Sequence, residues 1–376
     1  MVDGERCEYY LVCPAGIPNY GDELIAATWL RHLAQVAPDA DVVVDCLGPQ
    51  AAADRLRGLH PRVRFQNVLW QLCVDHWSPD PAATARAVAA TVDAAGRPAA
   101  ADGLGALRHA RVVHLLGGGF INAIWAPFAG LLAGITAATR RSGGRAAMTG
   151  QGLWPPAEGK SGLIRSLAEG FEVVDVRDEA SAELVGCAAS RSCDDVFLGM
   201  GPHLFDSRDE VPEVMVSLQS LLAETGPQDL VGFVVRTLRE WGADRVGLLE
   251  CAPDQDVDVL AAARQALPDA RVYSMADVLR DGLPARPGQA WLTTRFHPHL
   301  VAAAAGAAGV ALSIKPDYYG IKHRSLTDIG SKWRLLEGLD VPERPTAGGY
   351  RPEDLTRLRA AKRAVADRVY APDTAG

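Results

Sequence analysis

Short runs of apolar, β-branched residues recur along the chain, and between them apolar positions return at helical spacing. Tyr9 to Cys13, Asp41 to Leu47, Arg111 to Leu116, Ala146 to Gly150, Glu172 to Val176, Val214 to Leu218, Arg245 to Leu249, Arg271 to Ser274, Trp291 to Thr294 and Val310 to Ser313 read as strands. Glu23 to Val36, with Leu24, Thr28 and Leu33 on one face, reads as a helix. Strands alternating with helices over this length predict an α/β architecture, with parallel sheets covered by helices on both faces. No segment repeats at a fixed period.

The pattern breaks once. Gly201 to Pro212 carries Gly, two Pro and a cluster of charged side chains ahead of a fresh strand, and reads as an interdomain linker. The predicted domains are therefore 1–206 and 207–345, with 346–376 a C-terminal helix and tail. The helix, Pro352 to Tyr370, reads as too polar for a core element and suited to packing across the two domains. The 376 residues fit two domains, and 48% apolar with 22% charged residues fits a chain that buries a sizeable core.

A formal charge of -8, without a block of five like charges, excludes a nucleic-acid-coating surface. The seven cysteines (Cys7, Cys13, Cys46, Cys73, Cys187, Cys193, Cys251) are scattered and never spaced C-x-x-C, so they read as buried, reduced thiols rather than a disulfide framework or zinc ribbon. Met1 to Glu8 lacks the regions of a signal peptide, and the expected location is the cytoplasm. Trp125 to Thr139 and Leu300 to Ile314 fall short of the roughly 18 to 20 residues of a transmembrane helix. Peripheral contact with the inner face of a membrane, through a lipid-linked substrate, stays open.

Ligands of doubly wound sheets bind beyond the carboxyl ends of the strands, which directs attention to four strand-to-helix junctions. Asn19-Tyr20-Gly21-Asp22 opens the first helix, where Gly21 permits a tight turn and Asp22 caps the helix or meets a ligand. Gly117-Gly118-Gly119 follows a strand, as a binding loop or a packing turn; Asn122 stands where a dinucleotide fingerprint needs its last Gly. Arg177 ends a strand and can grip a carboxylate or phosphate, or pair on the surface with Asp178 or Glu179. Thr294-Arg295-Phe296-His297-Pro298-His299 is the most informative. Strand alternation puts Arg295 and His297 on one side, and Pro298 at the first helical position puts His297 at a helix mouth that attracts anions. His299 reads as packing. Lys322, in the Tyr- and Lys-rich stretch Lys315 to His323, could touch a phosphate or simply be solvated.

These segments, together with Gly150-Gln151-Gly152-Leu153-Trp154-Pro155, resemble the polysaccharide pyruvyl transferase family in order and spacing over roughly residues 8 to 335. The resemblance implies two Rossmann-like domains in a GT-B-type arrangement with a C-terminal crossing helix. It implies transfer of a pyruvyl group from phosphoenolpyruvate onto two hydroxyls of a sugar, giving a cyclic ketal and phosphate, in polysaccharide or glycoconjugate biosynthesis. Carried onto this chain, the family's donor residues are Arg177, Arg295 and His297, with the backbone at Phe296, and Lys322 is a further candidate. His297 is the candidate acid. Asp22 is the candidate that orients or deprotonates the acceptor hydroxyl, and Asn19, Gly21, Asp22 and Gly117 to Gly119 form the acceptor side. Neither a metal nor a cofactor is implied; the partners are phosphoenolpyruvate and a sugar or glycan, lipid-linked ones included, and a homo-oligomer stays open. Where some members carry a histidine shortly after a Trp, this chain has Ala126-Pro127-Phe128-Ala129 after Trp125.

Two alternatives stand beside this. The same architecture supports a nucleotide-sugar glycosyltransferase, although the Glu pair that holds ribose in retaining members is missing after Arg295. A non-catalytic sugar-binding relative is the other.

Overall fold

The computed structural model describes residues 7–94, 101–186, 189–208 and 210–372. Two compact units account for the chain. The first comprises Met1–Ile17, Asp22–Gly199 and Leu358–Gly376; the second comprises Pro18–Gly21 and Met200–Arg357. Beside the expected limits of 1–206, 207–345 and 346–376, residues 200–206 and the tip of the first helix count with the second unit, and most of the last helix with the first.

The first unit is built on strands β1 (Tyr9–Val12), β2 (Val42–Asp45), β3 (Val63–Gln66), β4 (Val112–Leu115), β5 (Arg145–Gln151), β6 (Val173–Val176) and β7 (Ser190–Arg191). They form one sheet in the order β3-β2-β1-β4-β5-β6-β7, with every pair parallel. The second unit holds β8 (Val214–Ser217), β9 (Val246–Leu249), β10 (Arg271–Tyr273), β11 (Ala290–Thr293), β12 (Ala308–Ser313) and β13 (Arg334–Glu337). Their order is β10-β9-β8-β11-β12-β13, again parallel. The inner strands are buried on both faces, as helices on both sides of a parallel sheet require, and this is why they read as unbroken apolar runs. Strand order reverses between β1 and β4 and between β8 and β11, and the loops leaving those strands are where such sheets take ligands.

Helix α1 (Tyr20–Val36) starts three residues before the expected Glu23, because Asn19 Oδ1 accepts the N–H of Gly21 at 3.0 Å and so caps it. The capping role expected of Asp22 belongs to Asn19. Trp125 to Thr139 is not one element: a 3₁₀ stretch, Ala123–Phe128, kinks at Trp125 before a helix begins at Ala129. Gly201 to Pro212 is tied into the second unit rather than left as a bare linker, since Phe205 bridges to Leu283; Asp209 lies outside the described residues.

The last helix (Pro352–Val369) corrects the expectation that it is too polar for a core. Leu358, Lys362, Val365, Ala366 and Val369 are buried at helical spacing, so a polar composition hides one inward stripe. Six cysteines are buried and free, and burial pushes the thiols of Cys7, Cys46, Cys193 and Cys251 up to about 12. Cys187 lies outside the described residues. Among the described residues no helix is long and apolar enough to cross a membrane.

Candidate functional site

In the second unit the loop leaving β11 sits at the switch point of its sheet. Helix Phe296–Ala304 begins there, two residues earlier than expected, with Arg295 at its N-cap in an extended conformation (φ -99°, ψ 136°). Pro298 is therefore the third helical residue, still within the turn whose N–H groups lack intrahelical acceptors. Because β11 ends at Thr293, strand alternation does not relate Arg295 to His297; both belong to the helix start. The turn is fixed through Thr293, whose Oγ1 accepts the N–H of Arg295 at 2.9 Å and donates to the carbonyl of Ser217 at 3.0 Å.

Arg295 is 7% exposed and its guanidinium pairs with Asp256, which is 1% exposed. The other oxygen of Asp256 accepts the backbone N–H groups of Cys251 and Ala252 at 3.1 and 2.9 Å. One carboxylate thus joins the loop after β9 to the guanidinium. Nε of Arg295 has no hydrogen-bond acceptor among the described residues, and no side chain of the N-cap serves the first N–H groups of the helix. A buried donor beside the positive end of a helix is suited to an anion.

His297 is half-buried, with the ring of Phe296 edge-on to it at 5.0 Å. Gly21 also lies against it, and its helix tip is tied to this unit by the Tyr20 N–H, donated to the carbonyl of Cys251 at 2.8 Å. Gly21 and Asn19, expected on the acceptor side, are thus grouped with the residues around His297. His299 is fully buried, stacked on Trp333 and 3.1 Å from Nδ1 of His323. Burial pulls His299 well below the usual histidine range and His323 down to about 4, so both imidazoles are neutral and pack. Lys322 does not stand free in solvent: its ammonium lies 3.8 Å from the centre of the Tyr318 ring and bonds that tyrosine's hydroxyl. The neighbouring Tyr319 is buried, which raises its phenol, while Arg295 pulls it the other way.

The first unit places its chemistry differently. Gly117 and Gly118 continue the sheet beyond β4: Gly118 bridges Gln151, and its carbonyl accepts the N–H of Gly152 at 2.8 Å. The space that Gly117 leaves is taken by Asp195, which accepts from the Gly117 N–H at 2.8 Å, from Thr149 at 2.6 Å and from the Trp29 indole at 2.7 Å. Gly118 leaves room for the Phe120 ring, and Gly119 accepts from Asn122. Lys362, wholly buried, reaches Asp175 at 2.6 Å and Asp195 at 3.0 Å. Burial disfavours its charge, but the two carboxylates outweigh that and hold it above the usual lysine range.

Arg177 is 4% exposed and pairs with Asp194 at 2.8 Å. Arg177 is thus buried rather than on the surface; Asp178 caps the helix Glu179–Val185 through the Ser181 N–H, and Glu179 pairs with Arg191. Asp22 is half-buried on α1. Its neighbour Glu23, fully buried, holds the loop after β1 by accepting from Gly16 N at 2.9 Å and Arg55 at 2.8 Å.

Asp256, Asp194, Asp195, Asp175, Lys362 and Glu23 were not singled out from the sequence. Asp175 had a readable signal, since an acid inside the apolar strand Val173-Val174-Asp175-Val176 must find a partner. Lys362 had none, standing beside Arg363 in a polar helix.

The family model for polysaccharide pyruvyl transferase matches residues 19–250. No curated protein matches the chain in sequence. Among solved structures, Anabaena HepE in complex with UDP-glucose is similar with a TM-score of 0.51 at 12% identity, over 97% of this chain and 96% of that one. Staphylococcus aureus MnaA with UDP gives 0.54 at 10% identity, over 97% and 90%. A UDP-N-acetylglucosamine 2-epimerase gives 0.54 at 11%, over 97% and 95%. At these identities the likeness shows the fold, two Rossmann-like units of the GT-B class.

Proposed function

The chain belongs to the polysaccharide pyruvyl transferase family, and from that premise we propose that it moves a pyruvyl group from phosphoenolpyruvate onto two hydroxyls of a sugar or glycan, closing a cyclic ketal and releasing phosphate. The observation that carries this is the start of helix Phe296–Ala304, where the unaccepted Nε of buried Arg295 adjoins a first helical turn that its N-cap side chain does not cap, at the switch point of the sheet. A donor with a phosphate and a carboxylate suits a guanidinium plus helix N–H groups, and neither contact requires a metal or cofactor.

Donor binding is assigned to Arg295, the backbone at Phe296 and His297, with Lys322 as an outer cation. Arg177, whose partner Asp194 is followed by a further buried carboxylate, Asp195, is assigned to the shape of its loop more than to net charge. His297 protonates the methylene carbon, C2 becomes oxocarbenium-like, and a sugar hydroxyl attacks it. Loss of phosphate regenerates a cation at C2, which the second hydroxyl captures. Asp22 is assigned to orient or deprotonate an acceptor hydroxyl, and the Gly117 to Gly119 loop to the acceptor side.

A thermal-shift panel with phosphoenolpyruvate, UDP, GDP and NAD tests the donor. Ligand at 100 times its dissociation constant adds about 2.7 kcal/mol, which moves a midpoint by several degrees. A shift with phosphoenolpyruvate that Arg295→Ala abolishes is expected. A shift with UDP or GDP and none with phosphoenolpyruvate overturns the assignment in favour of a nucleotide-sugar glycosyltransferase.

A further inference from the structure

Gly21 is a glycine without a backbone reason. It is not among the glycines with positive φ, and it lies inside α1, where alanine is the better helix former. What its position requires is space. A Cβ atom on residue 21 would collide with Nδ1 and Cε1 of His297, a side chain that would have to turn away. The imidazole thus lies against the bare Cα of Gly21 and also meets the edge-on ring of Phe296. The helix tip that presents Gly21 is itself fixed, because the Tyr20 N–H bonds the carbonyl of Cys251, and the N–H of Cys251 bonds Asp256, the partner of Arg295. Seat and guanidinium share one support.

We propose that Gly21 is a positioning residue for His297: the missing side chain lets the tip of α1 seat the imidazole beside Arg295, and any larger residue there unseats it. The assignment rests on His297 acting as the acid of the proposed transfer. It replaces, for Gly21, the expected backbone contact with the acceptor.

A double-mutant cycle of Gly21→Ala, His297→Ala and the combined variant tests it. Gly21→Ala should lower Tm by about 3 to 6 °C in the native background, the cost of overpacking, and leave Tm unchanged or raised when His297 is absent. Equal shifts in the two backgrounds overturn the proposal. If Gly21→Ala does not fold, a folded double variant supports it and an unfolded one overturns it. In turnover with phosphoenolpyruvate and an accepting sugar, Gly21→Ala should lose about 100-fold in kcat with KM for the donor within about threefold. Full turnover in Gly21→Ala, where His297→Ala is inactive, overturns the positioning role. Full turnover in His297→Ala instead overturns His297 as the acid, and leaves the seat to be judged by the Tm cycle.

Discussion

Each unit buries an arginine against an aspartate at the carboxyl edge of its sheet, but the two edges carry different charge. In the first unit Asp175, Asp194 and Asp195 surround Arg177 and Lys362, three carboxylates for two cations. In the second, Arg295 and Asp256 balance, and the start of a helix adds partial positive charge. Charges about 4 Å apart interact by about 4 kcal/mol at an effective dielectric near 20, so a surplus carboxylate disfavours a further anion beside it. An arginine that ends a strand becomes a candidate anion site only after its buried partners are counted.

The largest effect expected from this contrast follows removal of the first unit's ammonium. Lys362→Met leaves Asp175 and Asp195 buried without their cation, which should cost about 3 to 5 kcal/mol in urea unfolding. Asp195 also orders Gly117, Thr149 and Trp29, so the defect should spread into the triple-glycine loop. A loss below about 1 kcal/mol would mean that the carboxylates are satisfied without Lys362, and the charge count of the first unit would have to be redrawn.

Acid should separate the units next. Burial pulls His114 down to about 3 and His32 to about 4 in the first unit, and His323 to about 4 in the second, where it also holds His299 well below the usual histidine range. A histidine near 6.5 when unfolded binds protons that the fold refuses, so its contribution is full above pH 6.5 and is lost as pH falls towards these values. Asp45, in the first unit, has the opposite sign. Burial raises it to about 6, so it adds stability as pH falls from about 6 towards 4 and offsets part of the loss. At about 1.4 kcal/mol per pKa unit, the second unit should lose roughly 1 kcal/mol more than the first between pH 7 and pH 5, the part that Asp45 returns to the first. The hydrogen-exchange protection lost between pH 7 and pH 5 should then be larger in β12 than in β4. The reverse order would sink the offset by Asp45.

The strands legible in the sequence are mainly the ones in the middle of the sheets. Those that escaped, β3, β7 and β13, are edge strands with half-buried or exposed residues, such as Val63-Arg64-Phe65-Gln66 and Arg334-Leu335-Leu336-Glu337. An edge strand need not be apolar on both faces and so leaves no unbroken run. At the candidate site, Arg295 and His297 were visible because a polar cluster after a buried strand is unusual. Their partners were not, because Asp256 lies 39 residues from Arg295 and Lys362 lies 187 from Asp175. Asn19 and Glu23 flank Asp22, and neighbours one to three residues apart are sorted by which way a helix starts, which Asn19 decides by capping.

The finest test of the contrast is to change both arginines to lysine. Each substitution keeps a cation beside its aspartate, so both pairs can persist, but the planar fork and its Nε donor are gone. If the anionic donor binds the second unit, Arg295→Lys removes a charge-assisted N–H contact and should weaken phosphoenolpyruvate about tenfold by calorimetric titration. Arg177→Lys should leave that affinity within about twofold, since its guanidinium already serves Asp194 inside a surplus of carboxylates. The opposite result, a loss with Arg177→Lys and none with Arg295→Lys, would move the donor to the first unit. It would then require that a dianion displace Asp194 from its partner, and the charge count would have misjudged which edge binds.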